Sequence, residues 1–374
     1  ARYGVTKRDT FTLPFIYIRP IYFNEVMKMK LRLQAGNPND ANRDYVPMGI
    51  KGTDMTVNEN GNNSQVYPER LQECTGVLAD GLIDHWYEYV PASYDGSKKV
   101  PLVVSNHGGQ MNGWAQAVYS SWTLLAEREG FICVFPDCHE LQMWMVQGIA
   151  ERVRANPELV LPIPMDPEDY HDNHDLNYVK ALIVHMQEKY EIDAGRVYMQ
   201  GMSMGHMMTD QFARYYGDVL AGAAGSGSAA VDSQLYTKDG EIRNWGGAVP
   251  TWISHPEKNS MDDSLEAENA AQKGGREYWM QVNGVHSAPQ IRIIGEDNFA
   301  FYTGEKADLV YLDIKNRDHG QALDEAFYCW NYMFSGVRRA PDGTLVKEKT
   351  IWEPVGDSFA LALTYKSQKA WFHN

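Results

Sequence analysis

The stretch Arg196-Val197-Tyr198-Met199-Gln200-Gly201-Met202-Ser203-Met204-Gly205-His206 decides the fold. Its first half is apolar and β-branched, as a buried strand is, and residues 206–216 have helical spacing. Between them lies Gly201-Met202-Ser203-Met204-Gly205, a G-x-S-x-G pattern. A serine nucleophile needs this context. It must stand on a tight strand-to-helix turn, in a strained backbone conformation, so that its oxygen projects above the sheet. Flanking glycines let the turn close without side-chain clashes, and the following helix directs N–H groups at a developing oxyanion. Glycine and serine are common in loops, so the pattern alone is weak; the strand before it and the helix after it make Ser203 the candidate nucleophile.

Outward from this turn the chain alternates between the two periods. Residues 102–106 form a short apolar run, and Phe131-Ile132-Cys133-Val134-Phe135 forms another, stopped by Pro136-Asp137. Residues 122–129 have helical spacing, and Leu176, Val179, Leu182, Ile183 and Met186 mark an amphipathic helix over 176–188. Asp193-Ala194-Gly195 reads as a turn before the strand at 196–200. Further strands are expected at 249–254 and 307–314, with a helix over about 264–282 between them. This alternation predicts an α/β protein with a mostly parallel sheet covered on both faces. Residues 11–22 and 26–33 look strand-like, so 1–80 reads as an accessory β-rich segment ahead of a main domain at 81–339. Residues 340–374 read as a short β extension packed on it, beginning with a Pro341-Asp342-Gly343 turn.

Acyl transfer also requires oxyanion donors, a base and an acid. Asn106-His107-Gly108-Gly109-Gln110 follows an apolar strand, and its glycines permit close backbone approach. The expected oxyanion donors are the N–H of Met204 and that of Gly109 or Gln110. His319, in Asn316-Arg317-Asp318-His319-Gly320 after the last long strand, is the expected base. The acid should follow the strand at 249–254, where Asp262 and Asp263 are the nearest carboxylates free to turn toward His319; Glu257 and Asp297 are further candidates. Asp263 also suits a helix N-cap. His107, Met202, His206 and Trp144 are assigned to the substrate pocket, although His206 and the methionines would serve equally as packing. His171 and His174 have HxxH spacing, but on an irregular stretch they read as a helix start, so no metal is expected.

The chain has 374 residues, 44% hydrophobic and 22% charged, the balance of a globular protein. With 34 Lys plus Arg against 49 Asp plus Glu, its formal net charge is −15 and no basic block reverses it, which excludes nucleic acid as the main partner. No run approaches the roughly 18 apolar residues that a membrane span needs. Cys74, Cys133, Cys138 and Cys329 show no CxxC pair or zinc spacing, so they read as buried thiols, with one disulfide as the alternative. Ala1-Arg2-Tyr3-Gly4 lacks Met and a leader, as after trimming or signal-peptide removal; the compartment stays open, with secreted favoured over cytoplasmic.

From about Pro101 to Phe334 the chain resembles the poly(3-hydroxybutyrate) depolymerase and feruloyl esterase-like branch of the α/β-hydrolases. The resemblance rests on Asn106-His107-Gly108-Gly109, Val134-Phe135-Pro136-Asp137, Asp175, Asp318-His319-Gly320 and, most specifically, the Ile192-Asp193-x-x-Arg196-Val197-Tyr198 approach to Ser203. It implies an α/β-hydrolase fold, no cofactor, and cleavage of aromatic, feruloyl-type or polyester carboxylic esters. Two departures stand out. The branch usually has His-Gly-x-x-Asp where this chain has His255-Pro256-Glu257-Lys258-Asn259, which moves the acid to Asp262 or Asp263 or leaves Asn259 to orient His319. It also favours Asn-Gly-Gly after the nucleophile, where this chain has Met204-Gly205-His206. Residues 138–170 exceed a minimal connection and read as a cap over the acyl pocket or an ordinary insertion. The alternatives to an esterase are a serine peptidase and a non-catalytic binding protein that kept the fold and lost the acid.

Overall fold

The structure is a computed structural model. It describes residues 68–109, 111–139, 143–146, 173–230, 232–256, 270–294, 297–314, 321 and 325–348. Ahead of these lie two backbone ladders, Asp44–Tyr45 with Ile50–Lys51 and Met55–Val57 with Asn63–Gln65. The strand-like stretches at 11–22 and 26–33, residues 147–170 of the expected cap, and the extension beyond residue 348 lie outside the described residues.

Ten strands form one sheet: β1 (Leu71–Gly76), β2 (Asp84–Tyr89), β3 (Val100–Asn106), β4 (Ile132–Pro136), β5 (Ile192–Met202), β6 (Gly222–Ser226), β7 (Thr251–Pro256), β8 (Gln290–Ile294), β9 (Asp297–Tyr302) and β10 (Leu309–Ile314). Their spatial order is β8-β9-β10-β7-β6-β5-β3-β4-β2-β1. The central run from β10 to β4 is parallel, while β1, β2, β8 and β9 pair antiparallel at the edges. The helices are α1 (Gly113–Tyr119), α2 (Trp122–Glu129), α3 (His174–Lys189), α4 (Met204–Tyr216), α5 (Asp232–Leu235), α6 (Ala270–Asn283) and α7 (Glu325–Tyr332).

Strand alternation divides the core in two. On one face Val103, Cys133, Phe135 and Tyr198 pack with Trp122 and Leu125 of α2 and Phe327 and Trp330 of α7. On the other, Leu102, Val104, Val134 and Met199 pack with Leu176, Val179 and Ile183 of α3, Met208 and Phe212 of α4, and Trp279 of α6. Both faces of the parallel strands are covered, which is why they read as continuous apolar runs.

Several expectations were refined. Asp193-Ala194-Gly195 is not a turn before the strand but an irregularity inside β5, between the pairings of Ile192 and Val197 with β3. Asp193 still accepts the Gly195 N–H at 2.9 Å, so the turn chemistry is present within an extended element. The strand β6, Gly222-Ala223-Ala224-Gly225-Ser226, carries little β-propensity and went unread. Its small residues are required: a Cβ on Gly225 would lie 1.8 Å from His206 Cδ2, and one on Gly222 would lie 2.9 Å from the Phe334 ring. All four cysteines are free thiols, so no disulfide closes among them.

Gly225→Ala should destabilise the protein by about 1–3 kcal/mol, because the new methyl overpacks a site occupied by a rigid ring. Denaturant unfolding measures this, and an unchanged midpoint would contradict the β6–α4 packing.

Candidate active site

Ser203 joins β5 to α4 with φ 56° and ψ −117°. Among the described residues Asp80 alone shares a positive φ without being glycine. Such a conformation costs about 1–3 kcal/mol and persists only where the surroundings impose it. They do so here by close backbone contact. A Cβ on Gly201 would lie 1.9 Å from the Gly205 carbonyl oxygen, and one on Gly205 would lie 2.1 Å from that of Asn106. The Ser203 N–H donates to the Ser226 carbonyl at 2.8 Å, and the His206 and Met207 N–H groups return to the Ser203 carbonyl at 3.0 and 3.2 Å. Met204 opens α4, where N–H groups lack an intrahelical acceptor.

The loop after β3 lies against this turn, its Asn106 amide donating to Thr209 Oγ1 of α4 at 3.0 Å. His107 is fully buried. Its Nε2 accepts the Cys138 N–H at 3.0 Å, which leaves the proton on Nδ1, 2.7 Å from the Gly108 carbonyl. The Trp144 indole donates to the His107 carbonyl at 2.8 Å, and the two rings lie 4.8 Å apart. Asp175 in turn accepts the His139 and Met145 N–H groups at 3.1 and 2.6 Å, so α3 anchors the segment that holds the loop. Gly108 has Met202 Cε against it, 3.0 Å from where a Cβ would stand. Gly109 is half-buried beside it, and Gln110 lies outside the described residues.

All four residues expected in the substrate pocket are buried, as Ser203 itself is. His107 and Trp144 are completely buried and support the loop after β3. His206 is 7% exposed and packs across Gly225 of β6, and Met202 is 6% exposed against Gly108. Burial pushes the imidazoles of His107 and His206 down from an ordinary 6.5 to about 4, so both rings are neutral near pH 7.

Sequence reasoning missed a buried polar network beneath the turn. Gln200, three residues before Ser203, accepts from Ser105 Oγ and from the Trp122 indole, each at 2.9 Å. Its amide donates to Gln321 Oε1 at 3.1 Å, and the Gln321 N–H donates to the Tyr119 hydroxyl at 3.0 Å. Gln116 adds a bond to Ser105 at 3.0 Å. The polar ends of otherwise apolar runs, Ser105 and Gln200, were the available signal. Ser226 Oγ also donates to Glu325 of α7.

His319 lies within 315–320 and Asp262, Asp263, Asn259 and Glu257 within 257–269, both outside the described residues. The chain on either side of these loops is described. Pro256, which precedes the second, pairs with Ile314, which precedes the first, so the two stretches follow neighbouring strands at one end of the sheet. Gln321, two residues after His319, is tied to the strand bearing Ser203. Asp297 begins β9, beside the end of β10, and is completely buried.

Comparison with known proteins fits this geometry. An acetyl xylan esterase from Aspergillus awamori superposes with a TM-score of 0.50 over 70% of this chain and 97% of its own, at 17% identity. The central strand order, the strained serine and the loop after β3 are features of one fold. The chain has the α/β-hydrolase fold. Feruloyl esterase B of Thermothelomyces thermophilus is 29% identical over 161 residues, 42% of this chain and 49% of its own. Poly(3-hydroxyalkanoate) depolymerase C of Paucimonas lemoignei is 27% identical over 144 residues, 37% of this chain and 30% of its own. The chain thus spans half or less of the length of these curated relatives, and no family model matches it. Among the described residues no helix is long and apolar enough to cross a membrane.

The buried neutral histidines predict acid sensitivity. The unfolded chain binds protons on these rings near pH 6.5, which the native state refuses until about 4. Their stability contribution is therefore complete above pH 6.5, falls as pH drops, and is lost below about 4, on the order of 3 kcal/mol for each ring. Asp137 and Asp175, whose carboxyls burial pushes up, oppose part of this. Urea midpoints of the native chain and His206→Gln between pH 7 and 4.5 isolate one ring. The variant should lose stability less steeply, and parallel slopes would contradict a buried neutral His206.

Proposed function

We propose that this chain is a serine carboxylic-ester hydrolase that works through an acyl-enzyme, with Ser203 as nucleophile and His319 as base. The observation that carries the reading is the strained φ of Ser203 between two glycines that admit no Cβ. The Ser203 hydroxyl oxygen attacks the ester carbonyl carbon while His319 takes its proton. The N–H groups of Met204 and of Gly109 or Gln110 hold the resulting oxyanion. Collapse expels the alcohol, which receives the proton from His319. Water, deprotonated by His319, then releases the carboxylic acid and restores Ser203.

Aromatic, feruloyl-type or polyester substrates fit best, supported by the feruloyl esterase and poly(3-hydroxyalkanoate) depolymerase relatives. The peptidase and binding-protein alternatives draw no support from those relatives. The acid is assigned to Asp263 or Asp262 on the loop after β7, with Asp297 as the buried alternative one strand beyond β10.

Hydrolysis of p-nitrophenyl esters of increasing acyl length, and of methyl ferulate, tests the reading on the native chain and Ser203→Ala. Turnover should fall by roughly 10⁴-fold or more in the variant; equal turnover in both would sink the proposal. Single Asn replacements of Asp262, Asp263 and Asp297 identify the acid. Its replacement should lower kcat by ~10⁴-fold, since its task is to hold the imidazole tautomer, whereas the other two should leave kcat within about tenfold. If all three retain native kcat, none of them is the acid.

A further inference from the structure

On the far side of the loop that holds His107, three side chains from distant parts of the chain converge. Asp84 opens β2, His139 follows β4, and His174 opens α3. One potential ligand atom from each lies within 4.8 Å of the others. His174 Nε2 is 2.7 Å from Asp84 Oδ1, and His139 Nδ1 is 3.2 Å from the same oxygen. The side chain of Asp84 is completely buried, and its Oδ2 has no hydrogen-bond partner. A buried carboxylate with one oxygen unpartnered is costly unless a cation compensates it.

We propose that Asp84, His139 and His174 form a structural Zn²⁺ site. Two imidazoles and a carboxylate make a borderline donor set that suits zinc and not the oxygen-preferring Ca²⁺ or Mg²⁺. With bonds of about 2.0–2.1 Å, donors on a tetrahedral ion stand roughly 3.3 Å apart. The observed separations of 2.7 and 3.2 Å to Asp84 approach that value from below, and all three donors lie within 4.8 Å of one another. His139 keeps 14% of its side-chain surface exposed, which gives a route of entry and room for water as fourth ligand.

The surroundings have a second feature of such sites. A histidine that binds metal through one nitrogen usually donates its other N–H to a carboxylate. His174 Nδ1 is 2.9 Å from Asp80 Oδ2, and Asp80 is itself held by the Asn177 amide at 3.2 Å. Asp80 is also the other described non-glycine residue with a positive φ, 52°. Tyr178 lies parallel to the His174 ring, 6.1 Å away, and its hydroxyl donates to the His85 carbonyl at 2.7 Å. The imidazole is thus oriented on both edges.

The site's role is structural. The residue before His139 is Cys138, whose N–H supports His107, and the residue after His174 is Asp175, which anchors His139 and Met145. Zinc would pin β2, the segment after β4 and the start of α3 at one point. No step at Ser203 passes through the metal, so its binding can be measured whether or not the chain hydrolyses esters.

The test uses the full chain, stripped with chelator and dialysed. Calorimetric titration with Zn²⁺ should give one equivalent per chain and raise Tm, and Co²⁺ should give the visible absorption of a four-coordinate site. His139→Gln, at a partly exposed position, should abolish the Co²⁺ spectrum and the Tm increase while keeping its far-ultraviolet circular dichroism. Asp80→Asn should retain the spectrum but weaken binding by about 10–100-fold. Zn²⁺ binding equal in the native chain and His139→Gln would overturn the proposal. So would a Tm raised by Ca²⁺ and not by Zn²⁺, or no binding at all; the cluster would then be a hydrogen-bonded ion network.

Discussion

The contact between two backbones that leaves no room for a Cβ at Gly201 or Gly205 is the constraint on which the rest depends. It lets α4 start immediately above the end of β5, and Ser203 is thereby forced into a conformation that a serine rarely adopts. Nothing local rewards that conformation. The sheet below and the helix above over-determine it, so the strain is set by tertiary packing and not by the turn itself. The same contact fixes the neighbouring loop, because Gly205 approaches the carbonyl of Asn106, the last residue of β3.

Around this point the protein uses buried polar groups as rigid spacers. Gln200 of β5 ties together Ser105 of β3, Trp122 of α2 and Gln321. His107 serves similarly on the other side, accepting from Cys138 while its carbonyl is held by Trp144. Each group is low in exposure and satisfied by partners from distant elements, which gives positional definition that apolar packing alone lacks. Both histidines near Ser203, His107 and His206, are kept neutral by burial.

Much of this was legible in the sequence where the physics is local. The G-x-S-x-G turn, the helix over 122–129 and the amphipathic helix at 174–189 depend on short spacings, and each was read close to its observed bounds. What failed depends on tertiary contact. Gly222-Ala223-Ala224-Gly225-Ser226 has no strand signature because its smallness serves His206 and Phe334, which arrive from elsewhere. The placement of His107 and Trp144 behind the loop follows from a segment 30 residues and more away in sequence. His174 was correctly read as the start of a helix, yet its partners Asp84 and Asp80 are 90 and 94 positions distant, so HxxH spacing with His171 carried no information about them.

The central claim is that Ser203 is an activated nucleophile. The most direct measurement is labelling of the folded chain with a fluorophosphonate, followed by intact mass and peptide mapping. A single adduct should appear on the peptide carrying Ser203 and be absent after heat denaturation. Labelling elsewhere, or an unlabelled but correctly folded chain, would contradict it.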